Sequence, residues 1–243
     1  MKPLVVDIGG TNVKAWSPDG KIMERLPTGK QFTPAQLLQA LERWRQAAPC
    51  DSVAIGYPGR VQNGRPAREP WNLGDGWLDF DFESKIDVPV RLMNDAAMQA
   101  LGSYERGSML FLGLGTSVGS TLVVDGFVVP LELGSIPYSR NRSLEEMLSK
   151  KALHQTGQPR WRRAILRVLP KLLYAFAADY IVLGGGNAQR LRGQLPDFVR
   201  LGHNRNAYIG GVRLWQASDF RRVHWIPDEA LSSHQENAPD GAA

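Results

Sequence analysis

Two glycine-rich turns, set about 100 residues apart and each wedged between apolar runs, constrain this chain more than any other feature. The first is Asp7-Ile8-Gly9-Gly10-Thr11-Asn12-Val13-Lys14, entered from Leu4-Val5-Val6. The second is Gly113-Leu114-Gly115-Thr116-Ser117-Val118-Gly119-Ser120, entered from Met109 to Leu112. Glycine lets backbone N–H groups approach an anion closely, since no Cβ stands in the way. A tight hairpin accounts for either turn taken singly. Two of them, each bearing threonine, suggest a phosphate chain clamped between two lobes. Asp7 ends its strand, where a carboxylate can hold Mg²⁺ through water, and Thr11 adds a hydroxyl.

The apolar pattern around these turns is itself duplicated. Strands are predicted at 4–8, 13–16 and 21–26, then a helix from Pro34 that buries Leu37, Leu38, Leu41 and Trp44. Val53 to Tyr57 returns as a strand, and residues 60 to 85 read as a long loop of Gly, Pro, Asp and Trp. A strand at 88–93 leads into a helix that Asn94-Asp95 opens and that runs to about Ser103. Three more strands follow at 109–114, 117–124 and 127–131, with a hairpin signal at Asp125-Gly126. Helices at 143–155 and 160–176, a strand at 180–183, a strand at 198–201 and a helix at 209–216 complete the pattern. Strand hairpins followed by alternating helices and strands, twice over, predict an α/β fold of two lobes. The lobes are expected at 1–95 and 96–228, with the helix at 209–216 packing back on the first and 229–243 a disordered tail.

Composition fits an ordinary globular protein, at 43% hydrophobic and 22% charged residues. No apolar run reaches the length of a membrane span, and Met1-Lys2-Pro3 leads straight into a strand, without a usual cleavable signal. The single cysteine, Cys50, can form neither an internal disulfide nor a cysteine-clustered zinc site, which fits a reducing cytoplasm. The net charge of +5 is unevenly spread: from Arg140 to Lys171 nine basic residues face two acidic ones. Such a block attracts polyanions such as nucleotide phosphates, polyphosphate or nucleic acid, or it is simply a solvated helix face. No nucleic-acid module accompanies it, and its aromatics are limited to Trp161 and Tyr174.

A third turn, Gly184-Gly185-Gly186-Asn187, follows a buried strand. It reads as a tight strand-to-helix turn or as a place where a flat ring such as adenine approaches the backbone. Neither the P-loop spacing nor the GxGxxG dinucleotide fingerprint occurs here. On the acceptor side, Asp95 is a helix cap by position alone. Lying between the two phosphate turns in sequence, it is also placed to take a hydroxyl proton from an attacking alcohol. Asn72, Gly59 and Glu132 sit in loops, and asparagine and carboxylate side chains suit paired hydroxyls of the kind sugars present.

Taken together these motifs resemble the ROK family of bacterial sugar kinases, and within it the polyphosphate-glucokinase-like branch, from Val6 to about Trp215. Asp7 to Thr11 is similar to the family's first phosphate motif, and Gly113 to Gly119 to its second. Gly184 to Ala188 with Gly210-Gly211 is similar to its adenosine-side motif and closing helix. The resemblance implies an actin-like ATPase fold, of ribonuclease H-like halves around a central cleft. It implies a hexose acceptor, Mg²⁺, ATP or polyphosphate as donor, no structural zinc and a homodimer. It makes Asp95 the catalytic base and Asn94, Glu132 and Ser135 sugar ligands, with Asn72 and Gly59 as further contacts and Glu145 a weaker candidate. Phosphate and nucleotide contacts fall on Asp7, Gly9, Gly10, Thr11, Lys14, Gly115, Thr116, Ser117 and Gly184 to Asn187. The chain departs from the family pattern at Glu132-Leu133-Gly134-Ser135, where Ser135 replaces the usual sugar-binding histidine. An inactive sugar- or nucleotide-binding protein is therefore the alternative to a kinase. No helix-turn-helix precedes the core.

Overall fold

The computed structural model describes residues 1–191, 193, 195–203 and 205–216. The tail expected at 229–243 lies outside them. The chain opens with β1 (Pro3–Ile8), β2 (Asn12–Trp16) and β3 (Ile22–Pro27), and α1 (Pro34–Ala47) returns it to β4 (Ser52–Tyr57). A small ribbon of β5 (Val61–Gln62) and β6 (Arg65–Pro66) interrupts the connection to β7 (Val90–Asn94), which runs straight into α2 (Asp95–Ser103). Then β8 (Ser108–Leu114), β9 (Val118–Val124) and β10 (Phe127–Leu131) form a second meander. A second ribbon, β11 (Pro137–Ser139) and β12 (Arg142–Ser143), precedes α3 (Leu144–Leu148), α4 (Lys150–Thr156) and α5 (Gln158–Ala175). Finally come β13 (Tyr180–Gly184), β14 (Val199–Leu201) and α6 (Asn206–Gln216).

Two five-stranded sheets result, ordered β3-β2-β1-β4-β7 and β10-β9-β8-β13-β14. Counted within each half, the order is the same: an antiparallel meander continued from its first strand by two parallel strands. Every residue of β1, β4 and β13 is buried, as parallel strands covered on both faces must be. The duplicated α/β pattern expected from the sequence is present, and its architecture is that of the actin-like ATPases. Each glycine turn is the first hairpin of its half, joining β1 to β2 and β8 to β9.

Helices α2 and α6 tie the halves together by crossing between them. Helix α2 follows the first sheet yet packs on β8, β9 and β10, while α6 follows the second sheet and packs on β1 and β4. They approach so closely that only glycine fits at the crossing. A Cβ on Gly102 would stand 1.9 Å from the Asn206 carbonyl oxygen, and one on Gly210 1.8 Å from that of Met98. Arg213 of α6 donates to the carbonyls of Leu101 and Tyr104, satisfying acceptors that the end of α2 leaves open.

Some local expectations shift. The helix expected over 143–155 is two, because Ser149 is extended and caps α4, its side chain accepting from the Ala152 amide. The stretch over 60–85 is ordered rather than loose. Trp77 is fully buried at its centre and donates through Nε1 to the Phe32 carbonyl. The Glu69 carboxylate accepts from the amides of Gly76, Trp77 and Leu78, so one side chain closes the turn. Among the described residues no helix is long and apolar enough to cross a membrane.

Candidate active site

The duplicated topology brings the two glycine turns face to face. A Cβ placed on Gly10 would lie 2.9 Å from Thr116 Oγ1 and 3.1 Å from Asn72 Nδ2. Gly10, Thr116 and Asn72, widely separated in sequence, thus meet at one point. The first turn is closed internally, where Gly9 N–H donates to the Asn12 carbonyl, and pinned from outside, where the Thr28 hydroxyl donates to the Gly9 carbonyl. Thr116 and Ser117 of the second turn remain exposed.

Beneath the first turn, two carboxylates share a recess. Asp7 is the last residue but one of β1, is 5% exposed, and pairs across the ladder with Lys14. Burial pushes its carboxyl up to about 6, with the Lys14 charge pulling it back. Its Oδ1 has no hydrogen-bond partner among the described residues. Asp95 is the first residue of α2, and its Oδ1 accepts from the Ala96 amide at 2.8 Å. It keeps partial exposure, yet desolvation, then the charge of Asp7, raise its carboxyl to about 8, and Glu132 adds a smaller push. Gly56 of β4 lies between the two. A Cβ there would sit 3.4 Å from Asp7 Oδ1, 3.4 Å from the Asp95 Cα and 2.5 Å from Met98 Cε. Gly56 was missed in the sequence, although a glycine inside the buried strand run 53–57 signals a close approach.

The cap of α2 is Asn94 rather than Asp95. Asn94 Oδ1 accepts from the Ala97 amide, and its Nδ2 donates to the Gly59 carbonyl at 3.1 Å, which fixes Gly59 beside the helix start. Glu132 follows β10, with desolvation raising its carboxyl and Arg68 opposing that shift. Arg68 is a second residue the sequence reading missed, and no motif marks it. Glu145 accepts from the Val118 amide at 2.6 Å, beside Gly134, and its carboxyl is raised by desolvation, with a smaller push from Glu132. Ser135 is exposed, and its hydroxyl donates to the Glu132 carbonyl at 2.8 Å. Asp95, Glu132 and Glu145 are therefore electrostatically linked, while Ser135 turns back onto its own turn.

The third turn joins the second from behind. Gly185 has φ +80° and lies against Leu114, where a Cβ would stand 2.8 Å from the Leu114 nitrogen. The Asn187 amide donates to the Leu114 carbonyl. Gly184 packs on the Phe111 ring, whereas Gly186 faces open space.

No family model matches the chain. It is 24% identical over 217 residues to the polyphosphate glucokinase of Mycobacterium tuberculosis H37Ra, covering 79% of this chain and 80% of that protein. The inorganic polyphosphate/ATP-glucomannokinase of Arthrobacter sp. strain KM superposes with a TM-score of 0.71 at 23% identity, over 87% of this chain and 97% of that one. The chain is thus similar in sequence to polyphosphate glucokinases and shares its fold with proteins of the ROK family. A ROK family transcriptional regulator, a homologue of the E. coli MLC protein, also superposes, with a TM-score of 0.67 at 16% identity over 92% and 80% of the two chains. ROK proteins thus include regulators as well as kinases on one fold, so the site must carry the functional argument.

Proposed function

We propose that this protein is a sugar kinase that moves a phosphoryl group from ATP or inorganic polyphosphate to the 6-hydroxyl of a hexose, glucose foremost. The observation that carries the reading is the meeting of Gly10, Thr116 and Asn72 on the turn that follows Asp7, whose charge acts on Asp95. Backbone amides from two turns suit the donor phosphates, and a carboxylate in a desolvated recess suits a general base. In this reading Asn94, Glu132, Asn72, Gly59 and Ser135 hold the sugar, and the turn at Gly184–Asn187 takes the nucleoside when ATP is the donor. Residues 1–95 and 96–216 act as lobes that close on it. The alternative of an inactive binder rests on Ser135 alone, and no comparison supports it.

Asp95 takes the hydroxyl proton as the sugar oxygen forms its bond to the terminal phosphorus. The phosphorus–oxygen bond to the donor breaks, and ADP or a polyphosphate one unit shorter leaves. A divalent cation fits the residues present. Asp7 offers a buried, unpartnered oxygen, while among the described residues no group of three His, Cys, Asp or Glu could cage a metal. One carboxylate with water and donor phosphates completing the shell is the manner in which Mg²⁺ is usually held. When bound, it supplies positive charge to the phosphoryl oxygens. Lys14 counters the Asp7 charge in its absence.

A coupled assay with glucose, mannose and other hexoses, offering ATP and polyphosphate separately, tests the reading. Formation of a hexose 6-phosphate is expected, and no turnover with either donor across the panel overturns it. Asp95→Asn should lower turnover by about 10³-fold, within the usual range for a lost general base, and leave calorimetric sugar affinity nearly intact. Lost binding with a retained rate would make Asp95 a ligand and not the base.

A further inference from the structure

Four of the nine cations in the basic block form a single row on α5. Arg160, Arg163, Arg167 and Lys171 are exposed, while Trp161, Ala164, Ile165, Val168, Leu169 and Leu172 bury the opposite face. At 100° per residue the four cations fall within about 80° of arc and span about 17 Å of helix. No Asp or Glu occurs between Glu146 and Asp179. Among the described residues none of the four has an ion-pair partner. A solvated face of ordinary composition mixes both signs; this one does not.

The row begins beside the cleft. Gln158, the first residue of α5, donates through Nε2 to the Arg190 carbonyl at 2.9 Å, three residues beyond the glycine turn at Gly184–Asn187. The Lys150 amide donates to the Gly115 carbonyl at 2.8 Å, so α4 starts on the second phosphate turn, with Lys150 and Lys151 exposed. Helix α5 runs antiparallel to β13, which ends at the cleft, so its cations lead from the cleft outward.

We infer that α5 is a docking track for the distal part of a linear polyphosphate chain whose terminal unit reacts between the two glycine turns. A single file of cations matches one flexible polyanion. A nucleic-acid strand would also need bases stacked on aromatics, and the exposed aromatic of this face, Tyr174, stands beyond the end of the row. The inference rests on the kinase reading with polyphosphate as a donor.

The test compares the intact protein with a triple variant, Arg163→Gln, Arg167→Gln and Lys171→Gln, using long-chain polyphosphate, tripolyphosphate and ATP. KM for the long chain should rise about tenfold at low salt, the effect of three surface charge contacts, and the rise should shrink as salt is added. Values with tripolyphosphate and ATP should stay within about twofold, as should long-chain values for a control lacking Lys21, Arg43 and Lys85. An unchanged long-chain KM overturns the track. If no donor supports turnover, calorimetric binding of long-chain polyphosphate still decides it: a loss of affinity confined to the α5 variant supports the track although the kinase reading has failed. Absent binding, or tighter α5-dependent binding of single-stranded nucleic acid, overturns it.

Discussion

The two halves share a strand order and differ in what connects the strands. In the first half, residues 58–89 link β4 to β7 without an α-helix, as a loop packed around Trp77 that carries Asn72 to the cleft. In the second, residues 185–198, with a 3-10 turn at Ala188–Leu191, link β13 to β14, and α3, α4 and α5 lie earlier, between β10 and β13. A duplicated scaffold thus supplies two facing glycine turns. Its unequal connections make one side suited to an acceptor and the other to a phosphate chain.

Removing the centre of the first-half loop should have the largest effect. Trp77 is fully buried against Phe32, Tyr57 and Phe82. Trp77→Ala should cost about 3–5 kcal/mol of stability in chemical denaturation. Trp71, on the same loop, is 71% exposed. Trp71→Ala should stay within about 0.5 kcal/mol. Equal losses for the two would mean that the loop is not organised around Trp77.

The glycine turns offer a second contrast, expected to show in rate rather than stability. A Cβ on Gly10 meets Thr116 and Asn72, whereas one on Gly115 meets nothing nearer than the Ser117 carbonyl at 3.5 Å. Gly10→Ala should therefore lower kcat/KM by about a hundredfold through displaced turns, and Gly115→Ala by about tenfold or less. Equal losses would argue that close approach to phosphate, and not contact between the turns, is what requires glycine.

Much of this was legible in the sequence because strands and turns are written locally. β1, β2, α1, β4, α2 and β13 stand within a residue or two of where apolar runs and glycine placed them. Pairings across the molecule were not legible. Nothing local announces that Gly10 touches Thr116, that Arg68 faces Glu132, or that the Ser135 hydroxyl is engaged by its own turn. Ser149 split a helix because a buried serine cap competes with helix continuation, a choice made by tertiary packing and invisible to periodicity. Gly56 lay between these cases: a glycine inside a buried strand was visible, but the two carboxylates it admits came from another strand and a helix start.

The smallest effect tests the carboxylate pair itself. The Asp95 carboxyl is raised to about 8 in the fold, from an ordinary value near 3.8. The native state therefore holds its proton more tightly than the unfolded chain does. Its contribution to stability is fully present below about 3.8, declines as pH rises, and is lost once pH passes about 8. Asp95→Asn keeps an acceptor for the Ala96 amide but cannot ionise. In metal-free buffer it should match the parent near pH 4 and exceed it by on the order of 1–3 kcal/mol above pH 8. That figure is below a full conversion of the shift because Asp95 keeps partial exposure. Asp7 contributes to the rise through its own charge, so Asp7→Asn should shrink the gain from Asp95→Asn. An additive pair of variants would separate the two carboxylates, and with them the link between the phosphate turn and the proposed base.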